Sequence, residues 1–220
     1  ELEAHILDAK PARKGLKAVP WLVQAAEQAL ARYDRVAAAE HHASAARELL
    51  ASGQPDAAFE QHWRSAEAGA ELSDLPRIEA VRDALLALAR TDAQWSRAHL
   101  ADARVHDFRG DFDALEAAGA RVLDHARRAG DRDMQAEGLA CMQAALFYRG
   151  RNADVLPLLQ QEREVWQALG RPGAVLRCDY GIGVCLCGLG RLAEAHATLA
   201  ACVDAYATQG DREMLAHACR

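Results

Sequence analysis

The chain is predicted to be all-α: antiparallel helix hairpins laid side by side as an α-α superhelical solenoid. Three observations predict it. Glycines recur at Gly110, Gly150 and Gly190, and again at Gly130, Gly170 and Gly210, each series forty residues apart and the two interleaved at twenty. The intervals between them carry apolar residues at steps of three and four, the spacing of one helical face. The 220 residues are 51% hydrophobic but only 5% aromatic, and alanine dominates. Alanine loses no side-chain entropy in a helix and lets helices approach closely, whereas the scarcity of Val, Ile and Thr disfavours strands.

The first ninety residues are the least regular. Residues 1–34 read as a lead-in followed by a first helix. Residues 1–19, with Pro11, Gly15 and the three lysines Lys10, Lys14 and Lys17, are expected to be loosely docked, and the helix to start at Pro20 and run to about Ala31. Residues 35–90 read as degenerate helical repeats, with a separate amino-terminal domain as the rival. Asp34 caps a helix ending near Ser52. Gly53-Gln54-Pro55-Asp56 forms a turn with proline at the first helical position. A third helix reaches about Leu72, Ser73-Asp74-Leu75-Pro76 breaks it, and a fourth runs to about Arg90.

From Thr91 the rhythm is regular, giving units 91–130, 131–170 and 171–210 and a truncated unit 211–220. Thr91-Asp92 caps the fifth helix. Leu115, Ala118, Val122 and Ala126 form one stripe. Val155, Leu158, Leu159, Glu162, Val165, Trp166 and Leu169 form another with one polar interruption, and Leu192, Ala195, Leu199, Cys202, Val203 and Tyr206 a third. The near-identical stretches GDRDMQA from Gly130 and GDREMLA from Gly210 are then the same joint two units apart. Glycine ends a helix in the left-handed conformation, and the aspartate after it caps the next. A single hairpin cannot bury both its faces, but stacked neighbours can.

The unit 171–210, reading DYGIGVCLCGLGRLAEAHATLAACVDAYATQG from Asp179, resembles tetratricopeptide repeats (TPR): Gly183 is the small residue seven before the turn glycine, followed by G-R-L-A-E-A, then Ala195 and Leu199. In the preceding unit Asn152 and Val155 stand where this one has Leu192 and Ala195. The period exceeds the standard repeat of about thirty-four residues. This longer form is similar to the repeats of large bacterial regulators: transcription activators of the maltose-regulator type and ATPase- or cyclase-linked regulators. AARELLASGQPDAAFEQHWRSAEAG is similar to segments that precede such arrays. The resemblance implies that the first helix of each unit lines a groove, through positions about 13, 10, 6, 3 and 2 before the turn glycine. Carried onto this chain they are Arg97, Leu100, Arg104, Asp107 and Phe108; Glu137, Ala140, Ala144, Phe147 and Tyr148; and Arg177, Tyr180, Val184, Cys187 and Gly188. Arginines beside aromatics suit a peptide carboxylate or acidic segment. The Lys/Asn/Arg set of the family's carboxylate-clamp members is not matched.

Other classes are disfavoured. A net charge of −6 is not the cationic balance of a nucleic-acid binder. No apolar run is long enough to span a membrane. Six cysteines (Cys141, Cys178, Cys185, Cys187, Cys202, Cys219) sit in helical stretches without CxxC, so a reducing, cytoplasmic compartment is expected and a zinc site is not. His99, Asp102 and His106 share a helical face, read as a partly exposed polar stripe in preference to a metal site. His41 and His42 are adjacent and diverge. There is no GxSxG, HExxH, Walker or Rossmann signature. The expectation is a non-catalytic interaction or effector-recognition module with no cofactor or metal, cut from a larger bacterial regulator, since the chain opens on Glu1 and ends within a helical pattern at Arg220. Its partner is a protein or peptide segment or a small effector, and self-association is compatible with it. The alternative is an intramolecular arm packed on the parent's ATPase, cyclase or DNA-binding domain.

Overall fold

The structure, a computed structural model, describes residues 2–70, 72 and 74–209. Among these residues it contains ten α-helices and no strand: α1 Leu2–Ala31, α2 Arg35–Ala51, α3 Pro55–Ala68, α4 Leu75–Leu88, α5 Asp92–Arg109, α6 Phe112–Ala129, α7 Arg132–Tyr148, α8 Asn152–Ala168, α9 Pro172–Gly188 and α10 Leu192–Gln209. The helices group into two compact units, Glu1–Phe108 and Arg109–Arg220.

Most joints are built as their residues dictate. Gly130 closes α6 at φ 71°, and the glycines at 53, 110, 150, 170 and 190 also take positive φ, the conformation that costs a residue without Cβ least. Asp111 accepts from the amide of Ala114 at 3.1 Å, and Asp131 from Met134 at 3.0 Å. Asp34 and Asp74 cap α2 and α4 in the same way. At α5 the cap is reciprocal. Thr91 Oγ1 accepts from the Gln94 amide, and Gln94 Oε1 accepts from the Thr91 amide, so two otherwise orphaned donors are satisfied. The GDREMLA copy and the unit 211–220 lie outside the described residues.

In the first unit consecutive helices α1 to α4 pack as antiparallel neighbours. Alanine makes the approach close: Ala38, Ala39, Ala45, Ala46 and Ala58 are fully buried, as are Phe59 and Leu85. Each buried methyl-sized group contributes on the order of 0.8 kcal/mol of hydrophobic stabilisation. Ser65 Oγ donates to the carbonyl of Ala39 at 2.9 Å and ties α3 to α2. In the second unit α6 through α10 pack in sequence. At the α6–α7 contact backbone meets backbone. A Cβ on Gly138 would lie 2.7 Å from the Leu123 nitrogen and 3.0 Å from the Gly119 carbonyl. The stripe Leu115, Ala118, Val122, Ala126 is wholly buried there.

Three expectations about elements are corrected. The first helix does not wait for Pro20 but extends back to Leu2. A proline in a helix removes one backbone hydrogen bond. Here Leu16 and Val19 pack against the Ala46–Leu49–Ala58 cluster, and that burial offsets the loss. The third helix ends at Ala68, capped by Gly69, short of Leu72. Leu192, placed in the apolar stripe of α10, is 66% exposed, whereas Ala195, Cys202 and Tyr206 are buried. Leu192 is the first residue of its helix, where the stripe has not yet reached the neighbouring helix.

Candidate functional site

The first helix of each hairpin (α3, α5, α7 and α9) carries the candidate groove residues or their neighbours. In the second unit α7 and α9 flank a pocket of about 290 Å³ with α8 at its floor. Ala140, Ala144, Phe147 and Tyr148 line one side, Tyr180 and Val184 the other, and Val155 and Leu159 lie beneath. Small residues at 140 and 144 leave the space open. Gly181 lets α9 settle on α8, since a Cβ there would sit 3.0 Å from Leu159 Cδ2. Phe147 and Tyr148 are 43% and 61% exposed. They are nevertheless held: Tyr148 stacks on Phe112 of α6, ring centres 4.9 Å apart, and meets Phe147 edge-on at 6.2 Å. Large apolar rings at a pocket mouth, fixed before anything binds, form a surface that takes apolar side chains at little entropic cost.

In the first unit α3, α4 and α5 enclose a smaller pocket of about 180 Å³, lined among others by Ala66, Leu72, Ile78 and Val81 and by three candidate residues, Arg104, Asp107 and Phe108. Arg104 donates to the Ala66 carbonyl at 3.4 Å, and its guanidinium lies 5.7 Å from the centre of the Trp63 ring. Arg97 lies over the same ring at 5.8 Å. The two arginines differ in charge state of their surroundings. Arg97 donates to both oxygens of Glu60 at 3.0 Å, whereas Arg104 has no carboxylate within ion-pair distance among the described residues. A guanidinium stacked on an aromatic face and left without a counter-ion is suited to an incoming carboxylate.

The remaining candidates are scattered. Leu100 is 2% exposed and turned into the core. Glu137 is half-buried one turn before Ala140. Arg177 is exposed in a neighbouring depression with Asp133, Trp166 and Arg171. Cys187 and Gly188 are exposed at the end of α9. Sequence reasoning missed Trp63 and Phe112, which position Arg104 and Tyr148. Trp63 lies in the least regular stretch of the chain, and the Phe112–Tyr148 pair joins helices that no local spacing connects.

The polar stripe on α5 is not a free surface. Asp102 is 9% exposed, and its Oδ1 accepts from Arg82 of α4 at 3.1 Å with His106 Nε2 at 3.5 Å, while His99 stacks on Trp95. Among the described residues no group of three or more His, Cys, Asp or Glu is placed to hold a metal ion. The five described cysteines are free thiols. Burial pushes the Cys178 thiol up to about 12, with the Glu162 carboxylate adding to the effect, and burial raises Cys185 and Cys202 as well. Such thiols stay protonated and unreactive. No helix among the described residues is long and apolar enough to cross a membrane.

Helix hairpins joined at left-handed glycines, with pockets between their first helices, define a TPR-like helical repeat. No family model matches the chain, and no curated protein matches it. Among solved structures it is similar to aspartyl phosphate phosphatase F from Bacillus subtilis, with a TM-score of 0.74 and 11% identity over 98% of this chain. The chain spans 57% of that structure's length. At this identity the likeness establishes the fold alone.

Proposed function

We propose that the chain is a non-catalytic TPR-like interaction module, the sensor or regulatory segment of a larger bacterial regulator. It holds a protein segment or small effector in the pockets beside its first helices. One observation carries this reading: Phe147 and Tyr148 stand exposed at the mouth of an open pocket, fixed in place by Phe112. Exposed aromatic anchors of this kind concentrate binding energy in protein interfaces. The unpaired Arg104 beside Phe108 adds a place for a carboxylate. The similar fold is that of an aspartyl phosphate phosphatase from Bacillus subtilis, which is in keeping with a bacterial source without carrying that activity here. Free thiols fit a reducing, cytoplasmic compartment, and the net charge of −6 gives no reason to invoke nucleic acid. The second reading, an intramolecular arm, fills the same pockets with another part of the parent protein.

A photo-crosslinking amino acid in place of Tyr148 tests both in cells making the full-length protein, with the same substitution at exposed Gln160 as control. An adduct to a separate protein or small molecule, absent at the control, is the expected result. An adduct within the parent chain selects the arm. Equal, diffuse labelling at both positions overturns the pocket as a binding site. Arg104→Glu and Arg177→Glu then weigh the arginines: unchanged capture of the crosslinked partner removes them from the site.

A further inference from the structure

A third pocket, of about 480 Å³, is bounded by α2, α3 and α4, with α2 in place of the α5 wall described above. Two of its side chains are not accounted for by folding. Arg47 of α2 makes one hydrogen bond, from NH2 to Ser44 Oγ at 2.9 Å, and has no carboxylate within ion-pair distance among the described residues. The neighbouring arginine, Arg77 of α4, is fully occupied: Nε donates to Asp74, NH2 to Glu40 at 3.0 Å and NH1 to the Val36 carbonyl. His62 of α3 is 8% exposed, and its Nδ1 is buried with no hydrogen-bond partner. An orphaned buried ring nitrogen is costly unless something else satisfies it.

We propose that this pocket binds a small oxyanion, a carboxylate or a phosphate-type group, with Arg47 as its cation and His62 as a histidine that takes up a proton when the anion enters. The charged groups that line the pocket with His62 are Arg47 and Glu40 from α2 and Arg77 from α4, and of these Arg47 acts on the ring. Glu40 is already neutralised by Arg77, so Arg47 sets the residual field. Without an anion, burial and the Arg47 charge hold His62 below its ordinary pKa, and the ring is neutral. A monoanion on Arg47 cancels that field, and a dianion reverses it. The imidazolium becomes favourable, and both ring nitrogens then carry N–H donors. Ala39, Ala43, Ala80 and Val81 supply an apolar wall for a short aliphatic tail. The proposal does not depend on the function proposed for the α7–α9 groove.

The test is nitrogen-15 NMR of the histidine rings in the whole chain, titrated at constant ionic strength with sulfate or butyrate, anions that do not themselves titrate near neutrality. His62 is assigned by loss of its signal in His62→Gln. Binding is expected to saturate, to raise the His62 pKa, and to be roughly three- to tenfold tighter at about pH 6 than at about pH 8. The exposed Arg47→Gln change, which leaves the core untouched, is expected to weaken binding roughly tenfold. Preference for butyrate identifies a carboxylate with an aliphatic tail, and preference for sulfate a phosphate-type group. The proposal is overturned if neither anion moves the His62 signal, if Arg47→Gln binds as tightly as the original chain, or if affinity is equal at the two pH values.

Discussion

Trp166 donates its indole N–H to Glu162, 2.8 Å away and one turn earlier on α8. The other oxygen of the same carboxylate accepts from Gln143 of α7. The single polar interruption in the α8 stripe is therefore the point where α7 is pinned to α8. It has no cationic partner among the described residues and relies on neutral donors.

Removing that acceptor strands its donors, of which Gln143 is 8% exposed. Glu162→Ala is expected to lower stability by about 1–3 kcal/mol, the cost of burying unpaired polar groups. Glu162→Gln, which keeps one carbonyl, is expected to lose less. Urea unfolding followed by circular dichroism measures both, and equal stability of Glu162→Ala and the original chain contradicts the pinning role.

The close α6–α7 crossing makes a second prediction. Gly138→Ala places a methyl group against backbone atoms of Leu123 and Gly119 that cannot move aside. A loss of about 1–3 kcal/mol is expected. Gly173→Ala near the start of α9 meets nothing within 4 Å. It is expected to be neutral or to stabilise by up to about 1 kcal/mol through the unfolded chain. Thermal unfolding of the pair separates a packing cost from a general effect of replacing glycine.

His42 and His62 are both held below their ordinary pKa, chiefly by burial. His42 Nδ1 lies 2.9 Å from Gln61 Oε1, which only partly counters this. A histidine whose pKa is lower in the folded state binds protons preferentially when unfolded. Their contribution is thus fully present above about pH 6.5 and is lost as pH falls toward and below the folded-state values. Each can remove up to about 1.4 kcal/mol per pH unit once both forms of the chain lie on opposite sides of the titration. The melting temperature between neutral and mildly acidic pH is expected to fall, and to fall less steeply in His62→Gln. An identical slope in that variant rules His62 out as a cause.

The cysteines should sort by exposure. Cys187 is exposed, while Cys178, Cys185 and Cys202 are buried and their thiols are held in the protonated form. Iodoacetamide at mildly alkaline pH is expected to modify Cys187 in the native chain and the other three only after denaturation. Peptide mass mapping over a time course reads the order, and early labelling of Cys178 contradicts its burial.

The helical order was legible because its signals are local. Gly130 and Asp131 terminate one helix and start the next through bonds spanning three to five residues, whatever surrounds them. Where those signals weaken, as around Pro20, the boundary was lost, because packing of Leu16 and Val19 decides it. Candidate groove residues that share a pocket do so for the same reason. Arg104, Asp107 and Phe108 do line one pocket, and Phe147, Tyr148 and Tyr180 another, since helical phase fixes which side chains share a face. Leu100 shares that phase but is buried in the core.

By itself, the sequence determined that the chain is a series of helix hairpins at a forty-residue pitch, for caps, turn glycines and apolar period are properties of short segments. Only the tertiary structure decided which side chains are occupied and which remain available. Arg97 is consumed by Glu60 while Arg104 is not, and Asp102 is spent on Arg82. Those partners lie twenty to forty positions away in the chain, and nothing in local spacing can tell a paired charge from a waiting one.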